Sequence, residues 1–160
     1  MLKQSFAPIF RTDAKFLILG SLPGDKSLEE QQYYAHPQNR FWKLIFQLMD
    51  KPLEQSYSAR IQVLTDHRIA LWDTCASAIR PGSMDNAILG EVPNDIKGLL
   101  TNVPSIGTII FNGNKARQLY DKYHTRLPNI AYHSLPSTSP ANAQFSFERL
   151  EAAWSILKSV

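Results

Sequence analysis

Cysteine is almost absent from this chain, with one residue, Cys75, in 160. A single thiol excludes an internal disulfide, a four-cysteine zinc site and a cysteine-ligated iron–sulfur cluster. No apolar run approaches the roughly 18 residues of a membrane-spanning helix, and Met1-Leu2-Lys3-Gln4-Ser5-Phe6 lacks the apolar block of a secretory signal. The expected setting is cytoplasmic and reducing, with no membrane partner. No long Lys/Arg run occurs, so contact with a polyanion has to use scattered charges and backbone amides. No Gly-Lys-Ser/Thr ending is present, which excludes a P-loop. Repeats, low-complexity tracts and linker-like shifts are also missing, so residues 1–160 read as one domain.

What is there suits a folded α/β protein. Hydrophobic residues make up 44%, too many for a disordered chain, and the length allows a core without staples. Seventeen Lys and Arg against fourteen Asp and Glu leave +3, with a pI near 9.0. That balance suits an anionic partner without demanding one.

Four short apolar runs, 15–21 (KFLILGS), 69–74 (IALWDT), 106–112 (IGTIIFN) and 129–135 (NIAYHSL), are continuous rather than alternating. Continuous runs mark strands covered on both faces. Helical spacing fills the intervals: 39–49 (Phe41, Ile45, Leu48, Met49), 54–65 (Tyr57, Ile61, Leu64), 95–101 (Ile96, Leu99, Leu100), 114–123 (Ala116, Leu119, Tyr120, Tyr123) and 146–158 (Phe147, Leu150, Trp154, Leu157). Alternating strands and helices predict a three-layer α/β/α fold around a central, mainly parallel four-stranded sheet. In such folds ligands sit beyond the carboxyl ends of the strands. Those ends, 20–24, 73–80, 112–114 and 134–142, are also the segments richest in Gly, Pro, Ser and Asn.

Three stretches carry candidate chemistry. Gly20-Ser21-Leu22-Pro23-Gly24 is either a plain strand-exit turn or a turn whose amides face an anion or a base carbonyl. In Gln32-Tyr33-Tyr34-Ala35-His36-Pro37-Gln38-Asn39-Arg40-Phe41-Trp42, a proline-containing loop enters an amphipathic helix. Asn39 there either caps the helix or holds a water through its uncharged carbonyl. Leu135-Pro136-Ser137-Thr138-Ser139-Pro140-Ala141-Asn142 is a stiffened loop with three hydroxyls, either a polar connection or a phosphate contact.

Taken in order, Gly20–Gly24, Tyr34–Trp42, Phe111-Asn112-Gly113 and Leu135-Pro136-Ser137 resemble the uracil-DNA glycosylase superfamily over about residues 16–145. The likeness is strongest to its hypoxanthine (deoxyinosine) branch, supported by Trp72-Asp73-Thr74-Cys75 and Arg80-Pro81-Gly82-Ser83-Met84-Asp85, and next to the mismatch-specific uracil/thymine branch. Leu22 stands where those uracil-excising branches carry Asn or Asp, and Leu135 where a motif usually opens with His or Asn. The hypoxanthine branch shares both losses.

The resemblance implies a monofunctional DNA-repair glycosylase acting on a flipped deaminated base in double-stranded DNA, as a monomer and with no metal or cofactor. It implies Asn39 as the catalytic residue and Gly20, Ser21, Leu22, Pro23, Gly24, Tyr34, His36 and Asn112 around the substrate, with Tyr34 stacking on the base. Ser137, Thr138, Ser139, Pro140 and Asn142 are expected against the DNA. His36 reads as an acid, an orienting group or a local structural histidine, and Asn112 as a pocket wall or a turn residue. Asp73 and Asp85 are expected to face solvent or cap backbone rather than act as an acid pair. Lys115 falls in a helical pattern and is expected to be solvated, so no Schiff-base step is expected. A mismatch-specific glycosylase, a non-cleaving damage-binding module and an unrelated α/β domain are the competing readings.

Overall fold

Strands buried on both faces need helices above and below, and a computed structural model, which describes residues 2–158, has that arrangement. The central sheet contains β2 (Phe16–Gly20), β3 (Ile69–Asp73), β6 (Thr108–Asn112) and β7 (Ala131–Leu135), ordered β3-β2-β6-β7. All three pairings are parallel: Ile18 lies opposite Leu71 and Ile110, and Phe111 opposite Ser134.

Side chains alternate across this sheet. Phe16 and Ile18 join Ile69, Leu71 and Ile110 under α2 (Phe41–Leu48), α3 (Tyr57–Asp66) and α6 (Phe147–Trp154). Leu17 and Leu19 face the other way, with Ile109 and Phe111, under α4 (Ile96–Asn102) and α5 (Asn114–Tyr123). Each fully buried Leu, Ile or Phe side chain contributes roughly 1.5–3 kcal/mol of transfer free energy, so these two layers dominate the stability. Local signals fix the helix starts: Ser56, Asp95 and Ser146 each accept a backbone N–H from the first turn of α3, α4 and α6.

Two features depart from the sequence reading. Residues 73–80 are not a simple strand-exit loop, because Cys75–Ile79 forms a strand, β4. It pairs antiparallel with β1 (Leu2–Gln4) on one side and β5 (Leu89–Pro93) on the other, making a second sheet. The signal was weak for physical reasons. β1 has three residues, and β5 contains Gly90 at φ +59 and ends on Pro93, so its register against β4 shifts twice. A short helix, α1 (Asp25–Glu30), also follows the first glycine-rich turn.

Leu22, Cys75, Ala78, Ile88 and Leu119 form a third buried cluster. It ties the second sheet to the Gly20–Gly24 turn and to α5.

Candidate active site

The carboxyl ends of the parallel strands open into a cavity of about 1030 Å³. The Gly20–Gly24 turn, Tyr34, His36, Asn39, Asn112, Ser137, Thr138, Ser139, Pro140 and Asn142 all line it, so residues more than a hundred positions apart share one wall. Asp73, Met84, Asp85 and Lys26 line it too.

At Asn39 the structure bears on the capping reading. Helix α2 begins at Phe41, and Asn39 Oδ1 accepts the Phe41 N–H at 2.9 Å. That bond caps the helix and fixes the amide plane. A carbonyl oxygen has two lone pairs, so one remains for a water on the cavity side. The next residue braces the opposite wall. Arg40 donates to the carbonyls of Phe145 and, at 3.0 Å, Asn142, and its own N–H reaches Thr138 O at 3.1 Å.

Tyr34 is held at φ +54, a left-handed conformation costly for a bulky residue. Its ring lies 4.1 Å from that of Phe41, nearly parallel. Its hydroxyl accepts a hydrogen bond from Asn112 Nδ2 at 3.1 Å, and burial pushes the phenol well above its usual range. The strain is offset by this stacking and bonding, which place the ring at the cavity.

Asn112, 7% exposed, spends its amide on the scaffold. Besides Tyr34, Nδ2 reaches Thr138 Oγ1 at 3.0 Å, while Oδ1 accepts the Thr138 N–H at 3.0 Å. Asn112 is therefore a pocket wall that positions Tyr34 and the 136–142 loop. Thr138 needs correction: it is fully buried and its hydroxyl is engaged by Asn112, so that hydroxyl does not reach a DNA phosphate. Ser137, Ser139, Pro140 and Asn142 are half-buried at the cavity. Gly113 follows at φ +95, where a Cβ would stand 3.1 Å from that of Ser137. Both the backbone angle and the close approach require glycine.

The Gly20–Gly24 turn is held from behind. The Arg80 guanidinium, 1% exposed, donates to Leu22 O at 3.5 Å and to Pro23 O. Asp85 lies 3.8 Å from Arg80 and accepts the Ser21 hydroxyl at 2.6 Å. The Leu22 side chain, 6% exposed, anchors the turn in the third cluster. His36 is exposed at the rim, where its Nδ1 accepts the Gln38 N–H at 3.1 Å.

Asp73 overturns its sequence reading. It does not face solvent: it is 3% exposed, ends β3 and lines the cavity. A Cβ on Gly20 would fall 2.5 Å from its Oδ1 and 3.0 Å from the Tyr34 hydroxyl, so glycine there makes room for both groups. Among the described residues three buried side-chain atoms lack a hydrogen-bond partner, and Asp73 Oδ2 is the one belonging to the cavity. Burial, and then the nearby Asp85 carboxylate, raise its pKa to about 7, with Arg80 partly opposing. An unpaired buried carboxyl in a cavity is a candidate functional group. The available signal was an acidic residue closing an apolar strand at the carboxyl edge of a parallel sheet.

Lys115 is half-buried on α5 and lies outside the cavity lining. The lining lysine is Lys26, whose pKa Glu30 and Glu29 raise. No group of three or more His, Cys, Asp or Glu side chains among the described residues is arranged to hold a metal ion. None of the described helices is long and apolar enough to cross a membrane.

Comparison with known proteins agrees with this geometry. A protein of Methanosarcina acetivorans named hypoxanthine DNA glycosylase is 39% identical over 157 residues, covering 96% of each chain. One of the same name from Methanosarcina barkeri is 34% identical over the same share. A solution NMR structure from Methanosarcina acetivorans, provisionally named a uracil DNA glycosylase, superposes with a TM-score of 0.81 at 35% identity, covering 99% of both chains. The family model of the Uracil DNA glycosylase superfamily matches residues 7–158, and the chain belongs to that superfamily.

Proposed function

We propose that residues 1–160 act as one glycosylase domain that removes hypoxanthine from deoxyinosine in double-stranded DNA. The observation that carries the reading is the cavity itself, which sets an oriented amide (Asn39), an aromatic face (Tyr34) and an unpaired carboxyl (Asp73) around one space. The two relatives named for that activity support the choice of base. The domain is read as acting as a monomer.

A base inside a duplex is out of reach, so the nucleotide swings out into the cavity, a step made cheaper by the weak pairing of deaminated bases. The extruded purine stacks on Tyr34, which Phe41 backs. Hypoxanthine carries an N1–H beside a carbonyl. The ionised Asp73 carboxylate, which has acceptors alone, accepts that N–H. Adenine has a lone pair at N1, which would face the carboxylate's own lone pairs, so adenine is disfavoured.

The C1′–N9 bond then breaks, its electron pair leaving with the base, while a water held by Asn39 Oδ1 adds to C1′. The water's second proton passes to solvent, and a proton from solvent completes the free base. A neutral amide contributes by holding the nucleophile in place, not by taking its proton. The backbone around Leu22–Gly24, held by Arg80, faces the charge that builds on the departing base. Ser137, Ser139 and Asn142 approach the DNA backbone.

The test is base release from duplexes carrying deoxyinosine, deoxyuridine or thymine opposite guanine. Wild type releases hypoxanthine fastest, and Asn39→Ala lowers that rate by about 10²- to 10³-fold, the cost of losing one oriented catalytic group, while DNA binding persists. Faster release of uracil or thymine would make the chain a mismatch-specific enzyme. Tight binding with no release of any base would make it a damage-binding module.

A further inference from the structure

A nucleotide leaving the stack opens a gap, and proteins that distort DNA commonly fill such gaps with an apolar side chain. The 136–142 loop has no large apolar side chain for this: its residues are Pro, Ser, Thr, Ser, Pro, Ala and Asn. Phe145, beyond it, is half-buried against the first core cluster, with the Arg149 guanidinium 4.1 Å over its ring. No large hydrophobic side chain from 136 to 145 is among the exposed ones.

Among the described residues, the large hydrophobic side chains left exposed are Leu2, Phe10, Leu53, Ile79, Met84, Leu89, Val92 and Tyr123. Of these only Met84 lines the cavity, and it is 53% exposed. It lies on the connection between β4 and β5.

That connection is not slack. Gly82 O accepts from Lys3 and, at 3.2 Å, from Arg80. On one side of Met84, Ser83 Oγ accepts the Asp25 N–H at 2.9 Å. On the other, Asp85 holds Ser21 at 2.6 Å and accepts the Ile88 N–H at 3.2 Å. Met84 O accepts the Ala87 N–H at 3.1 Å. The backbone of an exposed apolar residue is thus fixed on both sides to the turn that forms the cavity floor. Ordering it on DNA costs little further entropy. An unbranched thioether chain also adapts its shape to a gap between stacked bases.

We propose that Met84 is the side chain that enters the duplex when the damaged nucleotide is extruded. This rests on the glycosylase reading, and the second arm of its test, a binding fluorescence, does not depend on catalysis. A wedge matters only where there is a stack to hold open. Met84→Ala therefore lowers the ratio of duplex to single-strand hypoxanthine release by about tenfold, a fraction of the few kcal/mol of unstacking that a wedge offsets. Met84→Leu restores the ratio. Leu89→Ala, which trims an exposed apolar side chain outside the cavity lining, leaves it near the wild-type value.

A second arm places 2-aminopurine opposite a non-cleavable abasic analogue in a duplex. Its fluorescence rises when the wild type binds, and the rise is lost with Met84→Ala and kept with Met84→Leu. Equal loss on single and double strands, an unchanged ratio, or a ratio that falls with Leu89→Ala instead overturns the assignment. If wild type releases no base from any substrate, the glycosylase reading fails and the fluorescence arm alone decides Met84.

Discussion

A carboxyl group that is 3% exposed, with one oxygen unpartnered, has to act on folding as well as on a ligand. The Asp73 pKa rises from 3.8 in the unfolded chain to about 7 in the fold, because burial penalises the charged form. Folding then takes up a proton between those values. The stabilising contribution is complete below the unfolded pKa and is lost as pH rises towards 7. Asp73→Asn is neutral at every pH and removes this slope. Unfolding midpoints measured from about pH 4 to 8 should show the variant gaining on wild type across that window and keeping a constant lead above it. Parallel profiles would mean that the carboxyl is not perturbed. In the cavity the same change keeps an acceptor for the hypoxanthine N1–H but removes the negative charge, so hypoxanthine release should fall by about tenfold or less, the difference between a charged and a neutral hydrogen bond.

Among the elements, the second sheet supplies what the central sheet lacks. Parallel strands deliver residues to one edge, but the turn that leaves β2 needs a support behind it. β4 and the connection to β5 provide one through Arg80, Ser83 and Asp85. Arg80→Ala leaves the Leu22 and Pro23 carbonyls short of a buried donor, at a cost of about 1–3 kcal/mol for each unsatisfied group. Urea unfolding should show that loss. Arg80→Lys, with a single charged nitrogen in place of a planar fork, should recover only part of it. In folded Arg80→Lys the slackened turn should weaken hold on the departing base, lowering kcat more than it raises KM. A change confined to KM would assign Arg80 to DNA binding instead. The element-level errors of the sequence reading fall here too. A three-residue strand and an edge strand carrying Gly90 and Pro93 each make their hydrogen bonds to β4, and no periodicity within them reports it.

For the whole molecule, the distribution of lysines decides whether a covalent step is open. A Schiff base needs an uncharged amine at the sugar. Lys115 lies off the cavity, and Lys26 is kept protonated by Glu30 and Glu29 at its rim. Borohydride added during turnover of inosine-containing DNA should therefore trap no protein–DNA adduct on a denaturing gel. A trapped band lost in Lys26→Ala would give the enzyme a lyase step.

Sequence by itself determined the local elements and the two-sided burial. Continuous apolar runs require cover on both faces, and helical spacing in between supplies it, so the order β3-β2-β6-β7 was left as one of few arrangements. The sequence also marked Asn39 and Tyr34, because caps, turns and local motifs are properties of neighbouring residues. Only the tertiary structure decided which polar groups are spent on the scaffold and which stay free. Thr138 and Asn112 satisfy each other across 26 positions, whereas Asp73 Oδ2 finds no partner. Hydrogen-bond satisfaction and desolvation depend on what other parts of the chain bring near, and no local pattern of residues encodes that.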